Sequence, residues 1–171
     1  EVEPTGSNGG TIVLEWHAWD HLVPLGESAA DHPGLLDVNL SGDAGGPHEM
    51  MTDWLHINAI DYNEELDQIV IGSHTLNEFY VIDHSTTTEE AATSSGGNSG
   101  RGGEILYRWG NPANYGGSGE QVLYVNHNIQ WIKPGLSGEG DFLVFNNGDG
   151  RPGGSKSSLD QITPPLDSDG N

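Results

Sequence analysis

Short runs of β-branched and aromatic residues, separated by polar turns, occupy the middle of the chain. Residues 55–62, 68–73 and 78–83 carry apolar side chains that alternate with polar ones closely enough to bury one face. Residues 63–66, between the first two runs, have the polar composition of a tight turn. The pattern therefore predicts three consecutive antiparallel strands.

A glycine pair, a β-prone run and a tryptophan occur together twice. Residues 9–16 read GGTIVLEW and residues 102–109 read GGEILYRW. Copies of one short unit are typical of proteins built as arrays of similar sheets. The two copies are therefore predicted to form equivalent strands, and the second would add a fourth strand to the three predicted above.

A second group of strands is predicted towards the end of the chain, at residues 121–132, 141–146 and 157–162. A glycine-rich turn cluster at residues 147–154 separates the last two. Short antiparallel strands in groups of four are the blades of a β-propeller, and each blade takes about 40–45 residues. The 171 residues are therefore predicted to form an all-β chain that supplies roughly three blades.

We predict a single partial propeller domain, residues 1–171, with insertions or loops at residues 26–49 and 92–101, which are polar and rich in glycine. Three blades are fewer than a closed wheel needs, and open sheets leave unpaired edges. The chain is therefore expected to be a fragment. Missing blades or a partner chain, such as a second copy in a homo-oligomer, are expected to complete the ring.

The net charge of the chain limits the classes of partner that it can bind. It has 26 acidic residues against 5 Lys and Arg, a net charge of −21, which excludes nucleic acid because no basic stripe can displace counterions from phosphates. No apolar run approaches the roughly 20 residues of a membrane span, and Cys is absent. The carboxylates are interpreted as a solvated surface, with structural calcium as the alternative.

Four polar side chains are candidates for chemistry, because they lie near strand ends. His56 and Asn58 open one predicted strand, His127 lies in the first strand of the next blade, and His74 ends a strand. The innermost strands of a propeller line its central channel. Neutral imidazole is a nucleophile and general base, and His and Asn donors stabilise a developing anion. Alternatively, each ring only hydrogen-bonds to backbone.

The remaining histidines favour no metal site. His17 and His21 are four residues apart, a spacing that suits zinc on a helix, but their segment has the pattern of a strand and turn. His32, His48 and His84 are expected in loops or at strand ends. We therefore expect neither a metal nor another cofactor.

Several segments together resemble the bacterial arylsulfotransferase family, over nearly the whole chain. They are WHAWDHL at 16–22, DHPGL at 31–35, the run 53–67, VIDHSTT at 81–87, ILYRWGNP at 105–112 and VFNNG at 144–148. The resemblance implies a six-bladed propeller that is periplasmic or extracellular. It also implies that a small-molecule aryl sulfate donates a sulfuryl group to a phenol without a nucleotide donor.

The resemblance also implies roles for individual residues. His127 matches the family's nucleophile, which forms a transient sulfohistidine, and His56 with Asn58 matches its His-x-Asn pair, which holds sulfate oxygens and assists proton transfer. His74 occupies the position of a family Arg, so it would face the sulfate as a weaker clamp. Asn128 stands where an acid is expected. A further channel His and an acceptor-side residue of the family are expected to lie outside this sequence.

A second interpretation belongs to another functional class. His74 in place of Arg, and the short length, favour a catalytically silent propeller that acts as a binding or structural module. In that case the channel rings would hydrogen-bond to backbone. A calcium ion that only stabilises the fold is a further variant of this interpretation.

Overall fold

The computed structural model describes residues 1–38 and 53–165. Within these ranges nine strands form antiparallel sheets of two, four and three strands, which confirms the all-β class; the described sheets do not close into a ring. The strands are β1 Val2–Thr5, β2 Gly9–Ile12, β3 Ile57–Asn63, β4 Gln68–Ser73, β5 Glu78–Asp83, β6 Tyr107–Trp109, β7 Asn126–Trp131, β8 Phe142–Asn146 and β9 Ser158–Ile162. The helical segments include α1 at Thr88–Ala91 and 3₁₀ turns at Ala18–His21, Ala29–Asp31 and Pro112–Tyr115.

The four-stranded sheet runs β3-β4-β5-β6 in chain order. Strands β4 and β5 have the predicted bounds, whereas β3 begins two residues later than predicted. Their side chains alternate between two cores. Val70 and Phe79 pack against the three-stranded sheet, and Ile71 and Tyr80 pack under the N-terminal segment. Because both faces are covered, β5 is buried along its whole length and β4 is buried from Val70 to Ser73.

The prediction that the two GG…W copies form equivalent strands is wrong. The first copy contributes its opening residues to β2, whereas the second contributes only its last three residues to β6. The second glycine pair lies in a turn, where a Cβ on Gly103 would come 2.0 Å from the Ala91 carbonyl oxygen. Glycine is needed there for close packing. The two glycine pairs therefore serve different purposes, one within a strand and the other in a tightly packed turn.

Two other segments differ from their predictions. Residues 16–22 contain a 3₁₀ turn at Ala18–His21 rather than a strand. The predicted strand 121–132 is shortened to β7, because Val125 has φ +57° and interrupts the extended backbone. Residues 92–101 are turns without a strand, and of the predicted loop 26–49 only residues 26–38 lie within the described ranges.

The larger sheets meet where the candidate residues lie. Strands β3 and β4 pack against β7, and a Cβ on Gly72 would come 3.0 Å from Ile129 Cγ2, so the glycine permits this close approach. Bulges interrupt β3 between Ile57 and Ala59 and β7 between His127 and Gln130. Bulges redirect side chains, often beside functional sites. In residues 1–38 and 53–165, no helix is long and apolar enough to cross a membrane.

Candidate functional site

Three of the four predicted site residues lie side by side. His56 directly precedes β3, His74 directly follows β4, and His127 is the second residue of β7. The ring centroids of His56 and His74 are 4.6 Å apart, and those of His74 and His127 are 5.2 Å apart. We call these three side chains the histidine row. Its middle ring is His74.

A backbone hydrogen bond at the end of the β3–β4 pairing links the residues that carry the first two rings. The His74 N–H donates to the His56 carbonyl oxygen at 3.1 Å. The buried Ser73 hydroxyl donates to the Leu55 carbonyl at 2.5 Å. His127 belongs to the other sheet. The row therefore spans the junction between two sheets.

His56 has an acidic partner that the sequence pattern does not mark. Its Nδ1 contacts the Asp53 carboxylate, and the two side chains are 42% and 41% exposed. The Thr75 hydroxyl donates to the Asp53 carbonyl oxygen at 2.9 Å, which holds this segment against the turn after β4. A carboxylate on Nδ1 orients the ring and selects its tautomer, as in other Asp–His pairs.

The His127 ring has two competing partners at Nδ1. The Val125 carbonyl oxygen and the Asn147 amide nitrogen each lie 3.2 Å from it. A protonated Nδ1 donates to Val125 and leaves Nε2 with its lone pair, whereas an unprotonated Nδ1 accepts from Asn147 and places the proton on Nε2. The position of the Val125 carbonyl therefore bears directly on the reactivity of His127.

Asn58 is built into the junction of the two sheets. Its Nδ2 donates to the Asn126 carbonyl oxygen at 3.0 Å, so one of the two amide hydrogens is used between the sheets. Its Oδ1 is buried and has no hydrogen-bond partner among the described residues. An interaction with an anion would therefore use the second amide hydrogen.

The backbone around the row adopts rare conformations. Positive φ angles occur at His56 (+40°), Asn77 (+57°), Val125 (+57°) and Asn128 (+53°), all within three residues of a ring in the row along the chain. Such angles cost free energy, most of all at a β-branched residue, and concentrate at functional sites. Asn tolerates the left-handed region, but nothing in the sequence marks His56 or Val125 for it.

Three of the five Lys and Arg side chains form ion pairs with acids outside the histidine row. Arg108, Arg101 and Lys133 pair with Glu78, Glu104 and Asp61. None of these three ion pairs involves a residue of the histidine row. Two surface cavities, of about 400 and 650 Å³, lie elsewhere on the chain, and their linings include no ring of the row.

The other histidines have separate environments. His21 is buried, its Nε2 lies 2.7 Å from the Ala91 carbonyl oxygen, and its ring stacks on Trp16. His32 follows the Ala29–Asp31 turn and pairs with Glu27, and His84 follows β5. His48 lies outside the described residues. Within the described ranges, no three His, Cys, Asp or Glu side chains are grouped so that they could hold a metal ion.

These features describe an all-β protein in which three histidine rings lie together at the junction of two sheets. The family model for Arylsulfotransferase (ASST) matches residues 5–163, and the chain belongs to this family. The histidine row and Asn58 lie inside the matched region. Aryl sulfotransferase activity, with small-molecule aryl sulfates and phenols as substrates, is thereby supported at the level of the family. The comparison with curated proteins found no match.

Proposed function

We propose that this chain carries the sulfuryl-transfer site of an arylsulfotransferase, with His127 as the nucleophile. The observation that carries the proposal is the histidine row, in which neighbouring ring centroids from two sheets are 4.6 and 5.2 Å apart. All three residues lie within the range that the family model matches. A set of imidazoles supplies a nucleophile, a cation and a proton carrier without a metal ion or other cofactor.

The proposed reaction has two displacements. In the first, the lone pair of His127 Nε2 attacks sulfur, an N–S bond forms, and the S–O bond to the aryl group breaks with its electrons going to the leaving phenolate. In the second, the acceptor phenol oxygen attacks the same sulfur, and the N–S electrons return to Nε2. In-line displacement of this kind depends on positioning and on neutralisation of the oxygens that do not react.

The other residues serve the transferred group and the protons. Protonated His74, between the other two rings, neutralises the sulfuryl oxygens, and the second amide hydrogen of Asn58 assists it. His56, oriented by Asp53, protonates the leaving phenolate and later takes the proton of the acceptor phenol. This division of roles is supported by the order of the rings and by the Asp53 contact at His56.

The location and assembly of the protein form part of the same proposal. We place it in the periplasm or outside the cell, in keeping with the exported family. We also propose that further blades, such as those of a second copy, complete the ring. The hairpin β1–β2 is exposed along its whole length, with Val2 and Ile12 more than half exposed, which supports contact with other sheets.

The test is intact-mass analysis after incubation with a chromogenic aryl sulfate, with and without an acceptor phenol. We expect an adduct of one sulfuryl group that disappears when phenol is added. The adduct should be absent in His127→Ala. His32→Ala is the matched control, because it removes a histidine outside the row, and it should behave like the wild type.

Two results would contradict the proposal: folded wild-type protein that neither forms the adduct nor releases phenol, and an adduct that persists in His127→Ala. The first result favours the catalytically silent binding module, which is supported by the resemblance, because that resemblance implies that His74 stands in the place of a permanent cation. Calorimetric titration with the aryl sulfate would then detect binding without turnover. Unchanged melting in a chelator would exclude a stabilising calcium ion.

A further inference from the structure

Asn77 connects the two sheets beside the histidine row, although neither the sequence pattern nor the proposed reaction assigns it a role. It is the last residue of the turn between β4 and β5, is buried, and has φ +57°. Its N–H donates to the His74 carbonyl oxygen at 3.3 Å. Its side-chain oxygen accepts the N–H of Val125 at 2.6 Å. Asn77 thus links the middle ring of the row with the start of β7.

The bond from Asn77 acts on a residue in an unfavourable conformation. Val125 is β-branched and has φ +57°, which L-residues of this shape rarely adopt unless their surroundings impose it. Asn77 Oδ1 is the partner of its N–H, and the Val125 carbonyl oxygen then lies 3.2 Å from His127 Nδ1. The bond from Asn77 and the contact with the His127 ring therefore involve the two backbone polar groups of one strained residue, the N–H and the carbonyl oxygen of Val125.

The Val125 carbonyl competes with Asn147 for the same ring nitrogen, since Asn147 Nδ2 is also 3.2 Å from Nδ1. The two partners require opposite tautomers of a neutral ring. The Val125 contact needs a proton on Nδ1, and the Asn147 contact needs a lone pair there. Whichever partner is better placed decides whether Nε2 can act as a nucleophile.

We infer that Asn77 is a positioning residue for His127: it holds Val125 so that the Val125 carbonyl keeps the proton on Nδ1 and leaves the Nε2 lone pair free. The catalytic consequence of this inference rests on the proposed function. The tautomer itself does not, because it is a property of the resting protein. A purely structural link between the sheets would stabilise the fold without changing the tautomer.

Three variants separate these roles. Asn77→Gly removes the acceptor oxygen but suits the left-handed backbone, and Asn77→Asp keeps an acceptor oxygen at the same place. Asn63→Gly is the matched control at the other end of β3. It removes side-chain bonds of the same kind, to the Glu65 and Leu66 N–H groups at 3.0 Å each.

The measurement is nitrogen-15 NMR of the imidazole rings, with the His127 signals assigned by their absence in His127→Ala. We expect the Nδ1-protonated tautomer in the wild type, in Asn77→Asp and in Asn63→Gly. In Asn77→Gly the proton should move to Nε2, and the rate of adduct formation should fall at least ten-fold while KM changes little. In Asn147→Ala the Nδ1 proton should be retained.

Three outcomes overturn the inference. They are an Nε2 proton in the wild type, an unchanged tautomer in folded Asn77→Gly, and equal rate losses in Asn77→Gly and Asn63→Gly. If Asn77→Gly fails to fold, the tautomers of the wild type and of Asn77→Asp still test the inference, because an Nε2 proton in either protein contradicts it. If wild-type protein forms no adduct, the proposed function fails, and the nitrogen signals still test the positioning role of Asn77 independently.

Discussion

His84 shows how a histidine outside the row is held by acids. Its Nδ1 and Nε2 lie 2.6 and 2.9 Å from carboxylate oxygens of Asp67 and Glu1. Burial alone lowers the pKa of His84, but the hydrogen bonds to Glu1 and Asp67 outweigh it, so the pKa lies above the ordinary value of 6.5. The charged ring is therefore favoured in the folded protein.

The raised pKa of His84 determines the direction in which the stability of the protein changes with pH. The stabilisation is fully present below the unfolded pKa and is lost as pH rises through the higher folded pKa. His84→Asn should therefore lower the Tm at about pH 5.5 and have little effect at about pH 9, at a cost on the order of 1 kcal/mol or less because the pair is partly exposed. Thermal unfolding by circular dichroism measures this. An equal loss at both pH values would rule out the charged pair as the cause.

At the middle of the row, a single substitution tests the need for positive charge. Imidazole loses its charge in alkaline solution, whereas guanidinium keeps it. His74→Arg should therefore retain adduct formation at about pH 9 better than the wild type does. The rate of phenol release between neutral and alkaline pH, with His74→Gln as the uncharged control, measures this. Parallel pH profiles for all three proteins would show that charge at residue 74 is not required.

Among the elements, one buried ion pair joins two strands and a turn. Arg108 on β6 donates to Glu78 on β5 at 2.6 and 3.2 Å, and Asn114 from the Pro112–Tyr115 turn donates to Glu78 at 3.1 Å. Both charged side chains are almost completely buried. Removal of one partner leaves the other charge uncompensated in the interior, a situation that costs far more than an exposed pair.

The expected cost of breaking this pair is large. Glu78→Ala should lower the free energy of unfolding by about 3–5 kcal/mol, as should Arg108→Ala. The double variant Glu78→Leu/Arg108→Met should lose much less than the sum of the two, because neither charge remains. Urea unfolding of the four proteins measures this. Additive losses would mean that the two side chains do not act as a pair.

The elements also show how far the sequence predicts the fold. The pattern predicts strands β4 and β5 with their observed bounds, because their apolar runs end at polar turns on both sides. The repeat is misleading, because Gly103 of its second copy serves close packing on Ala91. The interruption at Val125 is not predictable from local sequence, since its partner Asn77 is 48 residues away along the chain.

The site is predictable only in part, for the same reason. The resemblance and the strand ends point to His56, His74 and His127, which lie together. The contacts of Asp53 and Asn147 with these rings follow from turns and sheet packing that local pattern does not encode. The assignment of catalytic roles to the rings stays a prediction.

Across the whole molecule, the two larger sheets share one apolar interface. Phe142 on β8 is buried and lies 4.8 Å from Phe79 and 5.1 Å from Trp131, measured between ring centroids. Phe79 belongs to the other sheet. Aromatic side chains of this size dominate core energetics, so the docking of the sheets depends on this cluster.

Truncation at this interface should affect both sheets together. Phe142→Ala should lower the free energy of unfolding by about 3–5 kcal/mol, with one cooperative transition. Leu159→Ala, on the neighbouring strand but 69% exposed, is the control and should change it by less than about 0.5 kcal/mol. Chemical denaturation followed by tryptophan fluorescence and circular dichroism measures both. Separate transitions for the two probes would show that the sheets unfold independently.

The histidine row takes two rings from one sheet and the third from the other. The contact between His56 and His74 therefore reports on order within a sheet, whereas the contact between His74 and His127 reports on the gap between sheets. A transient opening of that gap separates the second pair and leaves the first intact. For the proposed reaction, which needs all three rings together, such an opening would separate the nucleophile from the other two rings while both sheets stay folded, an event that hydrogen exchange detects.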